Sequence, residues 1–344
     1  MNSSADPSSA VWAANSWCIC GRGSTPTTWT PETSCGAGKP SSSAPKACSS
    51  ATSDEFGSTE IHMTSVATAY PRVRRMRFRF GEPEPMTKYF ADDDIVLSHF
   101  VALLSAAFPP GEESFIRAVR RFTDQVTDPV LKKRMASFIG QEAVHGQQHG
   151  RLNEQLCALG YRLPRLIARY EWILPRLDRY APAAAHLAAV AAAEHYTAVL
   201  AQRVLSSPEI QALAGDDEVR NLLNWHALEE LEHKSVAFDV YRATGNPEWL
   251  RILVMTFLYL FTIPGVSVAV AASILLDPAA WQPITVARES YHLYRGPIVR
   301  GLMREIRVYL RPGFHPDDVD TVALLRRWQD ELFGAEGTLT DRVR

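Results

Sequence analysis

The chain has 344 residues, 46% of them hydrophobic, and a formal net charge of −2. That length and apolar content allow one large domain with a substantial core. The near-neutral net charge gives no electrostatic footprint for nucleic acid, so no nucleic-acid partner is expected. Four of the five cysteines fall within the first fifty residues. The remainder is therefore not built on disulfides, which predicts a reducing, cytoplasmic compartment.

Residues 1–62 are rich in Ser, Thr, Pro, Ala and Gly and poor in aliphatic side chains. Such a segment buries too little apolar surface to offset its ordering entropy, so it is predicted to be a disordered low-complexity tail. It lacks the apolar stretch of a secretory signal peptide, and none is expected. Its first three cysteines match no standard zinc motif. Translation from Met63 or Met76 would leave the tail out and is a further alternative.

A lead-in segment, 63–94, precedes the helical part of the chain. Three consecutive aspartates at 92–94 favour a helix start, because acidic residues stabilise the N-terminal end of a helix. A helix is predicted over 95–108. The Pro-Pro-Gly sequence at 109–111 is expected to break it, before a second helix that runs to about Val126.

Further helices complete a predicted metal-binding bundle over 95–245. Aspartates and prolines mark their starts, and glycines lie close after two of their ends. No strand pattern occurs, and a C-terminal helical region is predicted over 246–344. The further bundle helices are expected at 129–159, 164–180, 182–205 and 217–245.

Two Glu-x-x-His pairs are the most informative feature of the sequence. On a helix, residues three apart share a face, so each pair can direct a carboxylate and an imidazole at one point. A single glutamate precedes each pair, by about 30 and 36 residues, a spacing that suits two antiparallel helices crossing one site. Each of these carboxylates interrupts an apolar, core-facing seam. The six predicted metal ligands are Glu112, Glu142, His145, Glu194, Glu230 and His233.

This pattern matches the ligand set of dinuclear carboxylate bundles, in which two helices supply a glutamate and two supply Glu-x-x-His. The predicted fold class is therefore all-α, a ferritin-like four-helix bundle with additional C-terminal helices. The expected cofactors are two divalent metal ions, iron first, with manganese or zinc as alternatives. The competing interpretation is a set of buried salt bridges with Arg and Lys, although the seams contain few cations.

Four neighbouring polar residues are candidates for supporting roles. Gln141 and Glu229 each directly precede a Glu-x-x-His glutamate, so they can accept the second N–H of a ligand histidine. The alternative for both is a solvated helix face. His149 and His226 lie on the metal-facing sides one turn away. Each is an extra ligand, a proton shuttle or a hydrogen-bonded core histidine.

Three further residues are set aside as ligands. Glu113 shares a face with arginines and is expected to face water, which favours Glu112. His195 follows Glu194 but points about 100° away on the helix. His315 is predicted to be a turn residue without an evident partner.

The segment 252–276 contains 25 consecutive residues without a charge. It is long enough to span a bilayer. Pro264 and Gly265 are expected to divide it into two apolar halves, each suited to a core helix or a re-entrant hairpin. Membrane association through 252–276 is favoured over a soluble hairpin that covers the bundle, and an apolar surface beside the metals would suit a lipid-like substrate.

Five segments carry a family resemblance: PGE at 110–112, FIGQEAVH at 138–145, AEHY at 193–196, WHALEELEHKSVAFDVY at 225–241 and YLRPGFHP at 309–316. They resemble the bacterial family of predicted metal-dependent hydrolases over about 70–335. The resemblance implies a bound metal and hydrolysis of a small-molecule substrate. The residues themselves keep two alternatives open. A carboxylate-rich dinuclear centre also suits a di-iron, O₂-dependent oxidase or oxygenase, and a non-enzymatic metal store or metal-stapled scaffold ranks last.

Overall fold

The computed structural model describes residues 71–213 and 215–344, all within the compact unit His62–Arg344. The predicted tail, 1–62, and the first part of the lead-in lie outside the described residues. The described part is all-α, as predicted. In place of β-strands, its only extended pairing consists of two isolated bridges, one of which joins Met76 to Val343.

The helices follow one another with short connections, and four one-turn 3₁₀ helices occur between or after the later ones, the last at Thr340–Arg342. The α-helices are α1 (Ile95–Arg120), α2 (Pro129–Ala158), α3 (Leu163–Tyr180), α4 (Ala183–Ser206), α5 (Pro208–Gln211), α6 (Asp217–His233), α7 (Val236–Ala243), α8 (Glu248–Leu275), α9 (Pro283–Arg295), α10 (Leu302–Ile306) and α11 (Val322–Phe333).

Aspartate caps fix the starts of three bundle helices where the sequence predicted them. Asp94, Asp128 and Asp216 each accept a hydrogen bond from a backbone N–H in the first turn of α1, α2 and α6, respectively. Helix α1 packs most extensively on α2, and α4 packs on α6. The chain thus forms two helix pairs, as the duplicated motif suggests.

The predicted break at 109–111 is wrong, because α1 continues through Pro109 and Pro110. Pro109 has no N–H, so it leaves the carbonyl of Ser105 without its helical donor. The side-chain amide of Asn153 on α2 donates to that carbonyl over 3.1 Å. The neighbouring helix therefore replaces the missing bond, and Glu112 lies in the middle of a helix rather than in a first turn.

Two predicted helix ends are also wrong. Helix α1 stops at Arg120, before the predicted Val126, and continues as turns. The predicted fourth helix is two helices, α6 and α7, separated at Lys234 and Ser235. Both side chains are engaged by other segments: the Lys234 ammonium donates to the Val319 carbonyl, and the Ser235 hydroxyl accepts from Arg134. Tertiary contacts thus interrupt the helix at a place that local sequence does not mark.

The predicted division at Pro264 is wrong as well, because α8 is one helix that includes this proline. Helix α8 lies along α1 and α4 and buries Met255, Val270 and Ile274 on both sides of Pro264. Packing at both ends keeps the axis continuous. The opposite face is apolar and exposed. Its large side chains include Leu253, Phe257, Leu260, Phe261 and Val268.

Two described helices, α1 and α8, are long and apolar enough to cross a membrane. They differ in burial. The most apolar 18-residue window of α1 is 61% buried, whereas that of α8 is 6% buried. Helix α1 is therefore a core helix of the bundle, and α8 carries the accessible apolar surface.

Two apolar clusters pack at opposite ends of the bundle helices. One includes Ala106 of α1, Leu152 of α2 and Leu222 of α6, and the lead-in adds aromatic side chains such as Phe78. The other includes Phe138 of α2, together with the early residues of α4 and most of α7. Along α1 and α2, buried polar residues that include Glu112 and Glu142 lie between these clusters.

Candidate metal centre

The structure brings all six sequence-predicted ligands together in the middle of the bundle. They come from four helices, and every one is at most 5% exposed. Helix α1 supplies one glutamate, α4 supplies another, and α2 and α6 each supply a Glu-x-x-His pair. In chain order they are Glu112, Glu142, His145, Glu194, Glu230 and His233.

Within this cluster, donor atoms form three groups whose members lie within 4.8 Å of one another. Two groups are separate, and the third connects them. A seventh residue, His226, belongs to one of the separate groups. The separate groups are Glu112–His145–His226 and Glu142–Glu194–His233, and the connecting group is Glu142–His145–Glu230.

His145 uses its two ring nitrogens differently. Its Nε2 lies 3.1 Å from a carboxylate oxygen of Glu229, so the N–H donates away from the cluster. Its Nδ1 is buried, has no hydrogen-bond partner among the described residues, and lies 3.9 Å from Glu230 Oε1. The imidazole is therefore held by an outer acceptor, with a free nitrogen directed at the carboxylates, as a metal-ligating histidine requires.

His233 has the same arrangement with its nitrogens exchanged. Its Nδ1 donates to the amide oxygen of Gln141 over 3.1 Å. Its Nε2 lies 3.1 Å from Glu142 and 3.3 Å from Glu194, within ion-pair range but without hydrogen-bond geometry. Gln141 and Glu229 are thus both buried acceptors and not part of a solvated helix face.

The outer acceptor Glu229 belongs to a charged cluster that the sequence analysis missed. Arg74 and the indole N–H of Trp225 each donate to Glu229 Oε1 over 2.9 Å. Burial raises the pKa of Glu229, whereas Arg74 and the Trp225 indole N–H act in the opposite direction because they stabilise the carboxylate form. Arg74 also forms a bidentate pair with Glu232. It lies 155 residues from Glu229 in the chain, and no local pattern indicates that pairing.

The central carboxylates have no comparable partner. Both oxygens of Glu112, Glu142 and Glu194 are buried without a hydrogen bond among the described residues. Burial raises the pKa of each well above its ordinary value, and neighbouring glutamates raise it further. Burying charge without a partner is strongly unfavourable, and a bound cation supplies the partner. The donor set therefore fits divalent metal ions.

Glu230 differs from these three glutamates. Its Oε1 lies 2.8 Å from His226 Nε2, and its Oε2 accepts a hydrogen bond from the Thr197 hydroxyl. Burial acts to raise its pKa, but His233 and His226 together lower it well below the ordinary value. Glu230 is thus the carboxylate whose orientation is fixed by neighbouring side chains, and Thr197 is a second residue that sequence reasoning missed.

A hydrogen-bond chain sets the orientation of His226. The Asn153 amide nitrogen donates to the Ser105 carbonyl, so its amide oxygen accepts from the Ser105 hydroxyl over 2.8 Å. That hydroxyl then accepts from His149 Nδ1 over 2.9 Å. Burial and the nearby His226 lower the pKa of His149, which is therefore neutral.

With its proton on Nδ1, His149 accepts at Nε2 from His226 Nδ1 over 2.7 Å. The network therefore assigns a proton to His226 Nδ1, and the other ring nitrogen, Nε2, faces Glu230 Oε1 at 2.8 Å and Glu112 Oε1 at 3.8 Å. A proton or a cation between this nitrogen and the carboxylates makes that close approach favourable. This hydrogen-bond chain to His226 begins at the Ser105 carbonyl, which Pro109 leaves without a helical donor.

Gly146 provides space for Glu112. A Cβ atom at Gly146 would lie 3.1 Å from Glu112 Oε2 and 3.6 Å from the Cα atom of Pro109. A glycine in the middle of a helix costs about 1 kcal/mol relative to alanine, so it signals a close approach. That signal was present in the sequence, directly after His145.

The three residues set aside as ligands lie away from the cluster. The Glu113 side chain is 73% exposed and pairs with Arg117. His195 is buried against Tyr309 and Phe314, and burial lowers its pKa to about 4. The expectation that His315 has no partner is wrong.

His315 Nε2 lies 2.8 Å from Asp239 Oδ1, and its Nδ1 accepts from a backbone N–H in the following 3₁₀ turn. The Asp239 contact raises the pKa of His315. Its role is to connect α7 to the chain after α10.

The family model described as "Predicted metal-dependent hydrolase" matches residues 72–320. This chain belongs to that family, as the sequence motifs predicted. The matched region contains every residue of the cluster together with Arg74. No curated protein and no solved structure matches the chain.

Proposed function

We propose that this chain is a metal-dependent hydrolase that holds two divalent ions between α1, α2, α4 and α6. One observation carries the proposal. His145 and His233 each donate one ring N–H to an outer acceptor and leave the other nitrogen unpartnered toward buried carboxylates. A structural histidine in a core has no reason to leave such a nitrogen unsatisfied.

The donor groups suggest how the ions are shared. Glu112, His145 and His226 would hold the first ion. Glu142, Glu194 and His233 would hold the second, with Glu230 beside both groups. Four carboxylates neutralise two divalent charges, and the mixture of oxygen and imidazole donors suits iron first, with manganese or zinc as alternatives.

When bound, two such ions lower the pKa of a coordinated water and polarise a carbonyl or phosphoryl oxygen. The chain supplies the environment for that chemistry. The Thr197 hydroxyl fixes the Glu230 carboxylate, and the chain from Asn153 through His149 fixes His226. Phe108 packs against His149 and His226 with tilted rings, whose centroids are 4.6 Å and 4.5 Å away.

A second candidate is O₂-dependent oxidation at a di-iron centre. The observation that favours it is the carboxylate-rich donor set inside a helical bundle, the usual setting for dioxygen chemistry. Metal storage or a metal-stapled scaffold ranks below both, because the sequence has no cage-forming pattern. Iron-loaded protein with an added reductant distinguishes them: oxidation consumes O₂, and hydrolysis of an ester does not.

The metal count tests the dinuclear site directly. Protein with metal restored should carry close to two ions per chain, measured by elemental analysis against protein concentration. Glu194→Ala should reduce that number, whereas Glu113→Ala, on the exposed side of α1, should leave it unchanged. A count near one that Glu194→Ala does not alter contradicts the dinuclear proposal.

We also propose that α8 associates with a membrane surface. Its exposed apolar face supports contact with lipid, and its packing along α1 and α4 favours lying on the surface over crossing the bilayer. Phe257→Glu together with Phe261→Glu should release the protein from vesicles in a flotation assay. Purified wild-type protein that stays in the supernatant without detergent and does not float with vesicles argues against this localisation.

A further inference from the structure

An apolar cavity of about 180 Å³ lies between α1, α4 and α6, beside the proposed metal site. This cavity is partly open to solvent. Concave, mostly apolar clefts with a few polar groups are the usual form of small-molecule sites. A cavity of this kind at a reactive centre therefore points to a ligand. Its apolar lining includes Phe100, Leu104, Leu200, Ala201, Val204 and Leu223.

The cavity ends at the candidate metal centre. Thr197, His226 and Glu230 are lining residues, and Phe108 lies beside them. His226 and Glu230 belong to the donor groups described above. A molecule in the cavity therefore places one end at the proposed metals.

The cavity is elongated along the helices. On α1, its lining extends from Leu97 to Phe108, eleven residues or about 16 Å at 1.5 Å per residue. On α6, it extends from Val219 to Glu230, which is the same length, about 16 Å. An elongated apolar cavity of that length matches an unbranched chain, which can contact the lining along its whole length.

The polar residues away from the metal end have partners of their own. The side chains of Gln211 and Asn224 bond to each other through both amide groups, over 2.8 Å and 3.1 Å. Arg220 donates to the Leu213 carbonyl and to Asp217. Among the described lining residues, these polar groups already have partners, so the path between them and the metal end is lined mainly by apolar side chains.

We infer that the substrate is an ester of an unbranched acyl chain, which lies in this cavity with its carbonyl group beside Glu230 and His226. The inference rests on the proposed hydrolase function. In the reaction, the oxygen of water bonds to the carbonyl carbon and the bond to the alcohol oxygen breaks. One proton of that water ends on the alcohol, and the other product is the free acid.

Binding of straight-chain carboxylates to the metal-restored protein tests the inference without turnover. Acetate, butanoate, octanoate and dodecanoate serve as product probes in calorimetry. Affinity should rise by about fourfold per methylene until the chain fills the cavity, and the heat-capacity change should become more negative with length. Affinity that does not depend on chain length overturns the inference.

Three variants locate the binding. Ala201→Leu adds bulk to the cavity wall and should weaken dodecanoate binding at least tenfold with little change for acetate. Ala198→Leu is the matched control on α4, since Ala198 lines a different pocket with His195 and Gln202. Leu104→Ala enlarges the cavity, so the chain length at which affinity stops rising should increase. If Ala201→Leu does not fold, this variant tests the inference in the opposite direction.

Metal content measured on the same samples separates this inference from the proposed function. Two ions per chain without chain-length-dependent binding overturns the acyl-ester substrate alone. Chain-length-dependent binding to protein that takes up no metal overturns the hydrolase and supports the cavity as an apolar binding site. Equal losses of dodecanoate binding in Ala201→Leu and Ala198→Leu also overturn the inference, because the cavity is then not the binding place.

Discussion

The two Glu-x-x-His motifs occupy equivalent positions but differ in what holds their histidines. In each, the residue before the glutamate accepts from the histidine of the other motif: Glu229 accepts from His145, and Gln141 accepts from His233. Helices α2 and α6 are therefore connected reciprocally. The outer acceptor is a carboxylate in one half and a neutral amide in the other, so the two proposed metal positions differ in character.

The difference extends to the residue four positions before each motif glutamate. His226 stacks on His145 with ring centroids 4.0 Å apart, whereas Phe138 packs edge-on against His233 at 4.9 Å. One half thus has a third imidazole where the other has a phenyl ring. The apolar cavity opens on the His226 side. We expect the first metal position to face the substrate and the second to be mainly structural.

Removing the metals should have the largest effect, because it affects both halves. A ligand at 1,000 times its Kd stabilises a protein by about 4 kcal/mol. For a domain of 150–250 residues, 1 kcal/mol corresponds to about 2–4 °C. Chelation should therefore lower the melting temperature by roughly 10 °C, and the double variant Glu142→Ala/Glu230→Ala should respond little to the chelator.

The chelator effect should also depend on pH. In the metal-free fold, burial raises the pKa values of Glu112, Glu142 and Glu194 above those of the unfolded chain. The folded state then binds more protons, so these groups stabilise it below the unfolded pKa and lose that contribution as the pH rises through the folded pKa. The difference in melting temperature between loaded and stripped protein should widen from pH 5 to pH 8. A constant difference contradicts this account.

His226→Phe should have the next largest effect, because it places a phenyl ring against His145, as Phe138 already does against His233. The variant removes the third imidazole and preserves a ring against His145. We expect it to lose one of the two ions at a metal concentration that saturates the wild type. Phe138→Leu, which changes packing against His233 without removing a donor, should keep both. Full retention of metal in His226→Phe would show that His226 is a core histidine.

The sequence predicted most of the fold because the relevant signals are local. Aspartate caps located three helix starts, and the spacing of glutamates and histidines brought six residues to one place. The errors at Pro109 and Lys234 share a cause. At each, contacts from another helix or segment compensate or replace the local backbone bonds, and the donor to the Ser105 carbonyl lies 48 residues away on α2. At Pro264, which is exposed, buried residues on both sides of the proline hold α8 against the bundle.

The same distinction applies to the candidate site. The positions of Gln141 and Glu229 followed from helical register, but their reciprocal pairing depends on how α2 and α6 pack. Arg74 could not be found from its neighbours in the chain, because the segment that contains it has no regular structure. The apolar cavity forms only where α1, α4 and α6 pack together, although the apolar residues that each helix contributes to its lining are visible in the sequence.

Glu229→Gln should produce a smaller effect, because it replaces the charged acceptor with the amide of the second half. The new amide has one oxygen and one NH₂ group in place of two accepting oxygens. Whichever position the NH₂ group takes, it faces a donor: either the His145 N–H or the N–H groups of Arg74 and Trp225. Loss of such an outer acceptor typically reduces metal affinity by about 10- to 100-fold. Glu232→Gln removes the same charge beside Arg74, and its amide oxygen can still accept from Gln141 Nε2 and so preserve the Gln141–His233 bond. Competition titration should therefore separate the two variants, and equal affinities would mean that charge near Arg74, not the histidine bond, sets metal binding.

Gly146→Ala should produce the smallest effect, and its two consequences have opposite signs. Alanine favours a helix interior over glycine by about 1 kcal/mol, which should stabilise the metal-free protein. The new Cβ atom would lie 3.1 Å from Glu112 Oε2 and must displace that carboxylate by a few tenths of an ångström. Metal affinity should therefore fall a few-fold, and only at the first position.

Gly150→Ala is the matched control for this variant. Gly150 lies one turn further along α2, and a Cβ atom there meets nothing within 4 Å. Both variants should raise the melting temperature of the stripped protein, and only Gly146→Ala should weaken the first ion in a competition titration. If both alanines leave metal binding unchanged, the Glu112 carboxylate does not need its present position, and the first metal site is built from other donors.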